Sequence, residues 1–320
     1  MKIGVTGSIA YDYLMTFPGH FQDHFLEDKL DKISLSFLVN RMVKRRGGIA
    51  PNIGYSMALL GADPVLFGTV GEDFHAYRDW LEEIGVDTTG IHVIEDEFTA
   101  SFFATTDDDN NQIASFYPGA MGHAVEVKLA DWSGQELDLV VISPNDPEAM
   151  KAYVNEAQDL NIPYLYDPSQ QIVRLTGAEL KAGVEAAFAL FVNEYEYCLI
   201  QKHTEMSESE LESLLPLMVV TRGEDGAVIT ADGAQYQIPV VPPQQIVDPT
   251  GVGDAFRGGF LTGYSRGFGW ELCGQMGNLA ATYCLEADGP QGHIYTIGEY
   301  IERFRNHFDD DGQLDQLLSE

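Results

Sequence analysis

Cysteine is almost absent: only Cys198, Cys273 and Cys284 occur. An odd number without Cys-x-x-Cys spacing implies neither a disulfide framework nor a zinc knuckle, and reads as three buried cytosolic thiols. Positive charge is scarce as well. Against 50 Asp plus Glu stand 18 Lys plus Arg, for a formal net charge of -32, and such a surface repels nucleic acid and anionic lipid rather than recruiting them. The acidity fits adaptation to a salty cytoplasm as well as an ordinary soluble acidic protein, and it identifies no substrate. No segment reaches the roughly 18 uninterrupted apolar residues of a membrane span. The first residues, Met1-Lys2-Ile3-Gly4-Val5-Thr6-Gly7-Ser8, turn to glycine after one short apolar run, without the h-region and small-residue cleavage site of a signal peptide. The expected location is the cytoplasm, with no nucleic-acid or membrane partner.

What is present is a chain of 320 residues, 45% of them hydrophobic, enough to bury a substantial core. Short runs rich in β-branched residues and bounded by Gly, Pro, Asp or Asn recur at 2–7, 64–70, 137–143, 163–166, 188–193, 218–221 and 227–230, and each reads as a strand. Between them, 50–60, 77–84, 146–159 and 254–266 carry helical periodicity. Alternation of this kind predicts a mostly parallel α/β sheet. Two segments break the pattern, about 12–46 and 94–122. In the second, 99–106 and 112–117 flank an Asp107–Asn111 turn, a hairpin signal. Together the two segments predict a small β lid inserted into one domain spanning 1–320. The acidic stretch from Tyr300 onward predicts a terminal helix with a fraying end.

The strongest local signal is Asp248-Pro249-Thr250-Gly251-Val252-Gly253-Asp254, followed at once by a helical pattern. Two glycines in a tight turn let successive N–H groups converge at a helix N-terminus, where they bind anionic oxygen. Asp254 beside that nest can take a proton from an attacking hydroxyl. The plainer alternative is a glycine turn with Asp254 capping the helix.

Gly-Val-Gly-Asp in that string resembles the second signature of the ribokinase-like, or phosphofructokinase-B, carbohydrate kinases. Gly47-Gly48-Ile49-Ala50-Pro51-Asn52, with Leu60-Gly61-Ala62 and Gly68-Thr69-Val70-Gly71-Glu72-Asp73, is similar to the first. The resemblance implies an α/β/α sandwich with a mostly parallel central sheet and a β-sheet lid, Asp254 as base, and Gly251, Val252 and Gly253 as the phosphate-facing turn. The stretches 5–12, 35–39, 112–121, 145–150 and 167–171 look like the bacterial, notably actinobacterial, adenosine kinases. On that likeness Asp12 and Asn52 hold ribose hydroxyls, Gly48 allows close approach of the substrate, and Ser8, Ser36, Gln170, Gln171 and Arg174 are further polar contacts.

Phe102 and Phe116 on the predicted hairpin read, unaided, as the lid's own apolar face. The resemblance makes them a clamp on adenine, where stacking is worth roughly 1–3 kcal/mol per base. Asn193-Glu194-Tyr195-Glu196 resembles the Asn-x-x-Glu element that orders Mg²⁺ through water, with Glu196 the acid; by itself it is an N-cap and an exposed acid. Thr221, Arg222, Gly223 and Gly226 form a glycine turn that could donate to ATP, and Asn278 matches a position lining the ATP adenine pocket. Two residues depart from the family pattern: Pro51 before Asn52, tolerated in a first helical turn, and Val252 for the commoner alanine. The function expected is transfer of the ATP γ-phosphate to the 5′-hydroxyl of adenosine, with Mg²⁺ and a monovalent cation as candidate ions and a homodimer through the lid as a candidate assembly. A sugar kinase or a broader nucleoside kinase is the enzyme alternative. A silent nucleotide sensor is disfavoured by the retained Asp254 and glycine turn.

Overall fold

The computed structural model describes residues 1–25, 32 and 34–318. Among these residues, thirteen strands fall in two sheets. The chain runs β1 (Ile3–Thr6), β2 (Ala10–Thr16), β3 (Arg41–Gly47), α1 (Ile49–Leu59), β4 (Val65–Val70), α2 (His75–Glu83), β5 (Ile91–Val93), β6 (Ala100–Thr106) and β7 (Gln112–Tyr117). It continues β8 (Leu139–Ile142), α3 (Pro147–Asp159), β9 (Tyr164–Tyr166), α4 (Gly177–Glu185), β10 (Ala189–Asn193), α5 (Glu194–Thr204), α6 (Glu208–Leu214) and β11 (Leu217–Thr221). Last come β12 (Ala227–Ala231), β13 (Ala234–Ile238), α7 (Val252–Ser265), α8 (Trp270–Leu285) and α9 (Ile297–Arg305).

The large sheet has nine strands in the order β13-β12-β11-β10-β9-β8-β1-β4-β5. Neighbours from β11 to β5 are parallel, and β12 and β13 add an antiparallel edge. Both faces are covered, which is why the parallel strands read as continuous apolar runs instead of alternating ones. Alternation is still visible in the packing. Leu139 and Val141 of β8 point into one core with α1, α2, α7, α8 and α9, while Val140 and Ile142 point into the other with α3, α4, α5 and α6. Local chemistry sets the helix starts: Asp146 caps α3 with Pro147 at its first position, and Thr176, Asn193, Ser207 and Thr296 open α4, α5, α6 and α9 with capping boxes.

The small sheet, β3-β2-β6-β7, is the lid the two irregular segments predicted, and β6 and β7 form the hairpin. The chain leaves the large sheet through Gly7–Ile9 and returns through Gly47–Gly48. Gly48 sits at φ +94 with its backbone against Ser8–Ala10, where a Cβ would lie 2.5 Å from the Ser8 carbonyl oxygen. The lid therefore joins the large sheet where only glycine fits.

Three expectations need correction. Cys198, on α5, is exposed, and only Cys273 and Cys284 of the three thiols are buried. The stretch after Tyr300 does not fray within the described residues: α9 ends at Arg305, and a 3₁₀ turn over Gln313–Leu318 buries Leu314 and Leu317, tied down by Arg305 to Asp310. β13, Ala-Gln-Tyr-Gln-Ile, was not foreseen; only Ile238 of its five side chains is buried, so it lacks an apolar run.

Candidate active site

In an open parallel sheet, ligand sites form beyond the carboxyl ends of the strands, where the strand order changes direction. Here β1 lies between β4 and β8, and the residues just past the strand ends converge: Ser8 after β1, Ser169 and Gln170 after β9, Asn193 at the end of β10, Thr221 at the end of β11. With the lid residues Asp12 and Phe116 and the start of α7 they line a cleft of about 410 Å³.

The floor of the cleft is the N-terminus of α7. Gly251 is its N-cap at φ +79, and a Cβ there would strike Pro290 at 2.4 Å, so the turn requires glycine. Among the described residues the N–H groups of Gly253 and Asp254 have no backbone acceptor. They are the orphan donors of a helix start, free for an anion.

Asp254 accepts a hydrogen bond from Asn52 Nδ2 at 2.9 Å, bringing the two signatures together. Its pKa is pushed up to about 6 by burial, with Arg257 and the Asn52 hydrogen bond opposing. A carboxylate titrating there is ionised at neutral pH yet basic enough to accept a proton in a transition state. Pro51 stands in the first turn of α1, as its sequence position allows.

Behind Asp254, Arg257 is held by Asp167 through two contacts, Nε to Oδ2 at 2.6 Å and Nη2 to Oδ1 at 2.7 Å. Asp167 is fully buried; burial raises its pKa and Arg257 opposes the rise. The pair fixes a guanidinium one helical turn from the base. Asn52 is itself held: Gln291 Nε2 donates to Asn52 Oδ1 at 3.0 Å and to the Tyr77 hydroxyl, which donates to the Gly47 carbonyl at 3.0 Å. Arg257, Gln291 and Pro290 were missed as site residues. Arg257 alone had a signal, three residues after Asp254 on the same helical face.

On the lid, strand register aligns Arg45, Asp12, Phe102 and Phe116 in one row across β3, β2, β6 and β7. Residues paired this way share a face. Asp12 and Phe116 reach the cleft lining; Phe102 sits half-buried between them. Phe116 is 49% exposed, an aromatic ring uncovered above a polar floor.

Of the residues expected at the site, Ser8, Asp12, Gly48, Asn52, Phe116, Gln170, Asn193, Glu196, Thr221, Gly251, Val252, Gly253 and Asp254 line the cleft. Others do not. Ser36 and Arg174 are exposed and lie outside it, and Gln171 is buried in a 3₁₀ turn. Arg222, Gly223 and Gly226 belong to the β11–β12 turn beyond Thr221. Asn278 is buried with its Nδ2 donating to the Ile238 and Pro239 carbonyls, which ties α8 to β13. The crowding that demands glycine at 48 comes from the chain's own backbone.

Asn193 and Glu196 form a reciprocal capping box, and Glu196 Oε1 also accepts from Ser169 at 3.0 Å. Both members of the capping box line the cleft while capping α5. Among the described residues no three Asp, Glu, His or Cys side chains are clustered to hold a metal directly. This donor set fits an ion carried mainly by phosphate oxygens and water, as Mg²⁺ prefers. Nearby, Asp248 Oδ1 accepts from Thr250 N–H and Oδ2 from Arg45, so this carboxylate is already engaged by a guanidinium.

A family model, pfkB family carbohydrate kinase, matches residues 8–296. The chain belongs to this family. It is an ATP-dependent kinase with a ribokinase-like α/β fold. The nucleoside kinase of Methanothermobacter thermautotrophicus is 30% identical over 93% of this chain and 94% of its own, and that of Methanocaldococcus jannaschii is 29% identical over 96% and 97%. Among solved structures, Burkholderia thailandensis nucleoside kinase in complex with inosine is 36% identical, covers 96% of this chain and 98% of its own, and superposes with a TM-score of 0.83. Its ligand-free form gives 0.87 at 37% identity, over 94% and 99%. These pfkB relatives carry the broader name of nucleoside kinase, where the sequence reading had pointed to adenosine kinases. No helix among the described residues is long and apolar enough to cross a membrane.

Proposed function

We propose that the protein is a purine nucleoside kinase that transfers the γ-phosphate of ATP to the 5′-hydroxyl of adenosine, giving AMP and ADP. The observation that carries this reading is the lid row: a carboxylate for sugar hydroxyls, Asp12, and an aromatic ring for a base, Phe116, line the same cleft as Asn52 and Asp254, with Phe102 in register between them. A free sugar lacks the flat π face that stacks best on such rings.

In this reading Asn52 and Asp12 orient the ribose so that its 5′-hydroxyl meets Asp254, which takes the proton as the oxygen attacks phosphorus. The N–H groups of Gly253 and Asp254 and the α7 dipole stabilise charge on the transferred group, and Arg257, held by Asp167, adds a fixed positive charge. Phosphoryl transfer depends chiefly on such positioning and charge compensation. Mg²⁺ bound with ATP would neutralise phosphate charge, with Asn193 and Glu196 holding its water shell. The inosine complex of the Burkholderia relative favours a second acceptor, inosine, at the same site. The lid, exposed at its strand edges, is the surface through which two copies would pair.

Phe116→Ala tests the assignment. Loss of stacking worth roughly 1–3 kcal/mol should raise the nucleoside KM by about 5- to 150-fold and leave the ATP KM in place. An unchanged nucleoside KM would remove the base from the lid.

A further inference from the structure

Arg45 stands out once charges are followed through the lid. In a chain of 50 acids and 18 basic residues, this one guanidinium faces three carboxylates on three separate elements. Asp12 lies beside it in register on β2. Asp248, in the turn before α7, accepts from Nη1 at 2.7 Å. Asp288, in the loop after α8, pairs with Nη2. That loop carries Pro290, which roofs Gly251, and Gln291, which holds Asn52. The strand neighbours Lys44 and Arg46 turn to the opposite face of the lid, over Tyr11, Tyr13 and Trp80, and do not share the duty. The side chain of Arg45 is 21% exposed and that of Asp248 16%, sheltered enough for the pair to escape much of the screening a surface pair suffers.

We propose that Arg45 is a positioning residue of the phosphoryl transfer: it straps the lid strand β3 to the phosphate-facing turn and its roof, setting the height of Asp12 and the lid aromatics above Asp254. The inference rests on the nucleoside-kinase reading. Arg45 acts through the residues it holds and does not itself line the cleft. A guanidinium suits the task because its fork reaches two carboxylates at once, which an ammonium cannot do with fixed geometry. The strap also has an electrostatic side. Burial raises the pKa of Asp12, Arg45 opposes the rise, and the Asp248 carboxylate adds to it. For Asp248 the Thr250 hydrogen bonds and Arg45 outweigh burial and hold the pKa low.

The test uses Arg45→Ala in the full chain, with kcat and KM measured separately for nucleoside and ATP, a pH profile, and added guanidinium chloride at low, non-denaturing concentration. Misplacing the lid should lower kcat/KM for the nucleoside by about 10- to 100-fold with the ATP KM nearly unchanged. Without the opposing charge Asp12 protonates at higher pH, so the acid limb of the nucleoside kcat/KM should move upward, and guanidinium should restore part of the loss. Asp288→Asn, at an exposed position that does not endanger folding, removes one anchor of the strap; it should weaken nucleoside kcat/KM by a smaller factor and leave the acid limb in place. A folded Arg45→Ala with parental kcat/KM overturns the proposal. So does a loss that guanidinium leaves untouched with an unmoved acid limb, which marks a merely structural role, or an Asp288→Asn protein with parental constants. If the parent phosphorylates no nucleoside, the functional reading fails instead, and the two failures are distinguishable.

Discussion

Replacing Asp254 with asparagine should make the protein slower and more stable at once. Asp254→Asn keeps the size of the side chain and an oxygen to accept from Asn52 Nδ2, so the floor of the cleft is preserved. The reacting hydroxyl loses its base, and kcat should fall by the roughly 10²–10⁴-fold attached to a positioned proton acceptor. The stability gain follows from the raised pKa. Moving it from 3.8 to about 6 means the folded state binds the proton more tightly than the unfolded chain. The ionised carboxylate therefore costs the fold about 3 kcal/mol at about pH 8. That cost shrinks as pH falls through about 6 and is gone below the unfolded value near 4, where both states are protonated. With an unfolding entropy of about 2.1 cal/mol/K per residue, 320 residues convert about 3 kcal/mol into a rise of about 4 °C in Tm. Thermal unfolding of parent and variant at about pH 8 and about pH 4, beside steady-state ADP release, reads both effects. Parental turnover would refute the catalytic role; a Tm lowered at the higher pH would refute the view that burial of charge dominates at Asp254.

Gly48→Ala should destabilise the fold by about 1–3 kcal/mol, because φ +94 and the 2.5 Å approach to Ser8 leave no room for a methyl group, and the surviving protein should show a raised nucleoside KM as the lid junction shifts; denaturant titration with kinetics measures both. The charge of -32 predicts that Tm rises between low salt and about 1 M KCl, where the Debye length shrinks to roughly 3 Å, and a flat or falling Tm would show that self-repulsion does not limit stability.

The frame of the molecule was readable because its signals are local. The strands buried on both faces declare themselves as short apolar runs between Gly, Pro and Asx, and the β6–β7 hairpin by its Asp107–Asn111 turn. The placement of Asp254 in the first turn of α7 was readable because the glycines that shape the turn are adjacent to it. What escaped depends on partners far apart in sequence: Arg257 with Asp167 is separated by 90 residues, Gln291 with Asn52 by 239, Arg45 with Asp248 by 203. A single sequence offers no pattern linking such pairs. Asn278 was placed at ATP by its position, and the structure shows its Nδ2 donating to the Ile238 and Pro239 carbonyls, contacts the sequence did not announce. Ser36 and Arg174 were chosen on likeness alone, and the chain leaves both outside the cleft. Lid register, by contrast, followed from strand alternation once the hairpin was recognised, which is how Phe102 and Phe116 came to oppose one another.

The assignment is tested most directly by the rate of ADP release from Mg-ATP with adenosine, inosine, guanosine, ribose and fructose offered as acceptors one at a time, with the product's phosphorylated position identified by ³¹P NMR. A nucleoside kinase built on the Asp12, Asn52 and Asp254 constellation under an aromatic lid predicts turnover with purine nucleosides, adenosine among them, phosphate on the 5′-oxygen, and little or no turnover of either free sugar. Ribose or fructose phosphorylated faster than every nucleoside would contradict it.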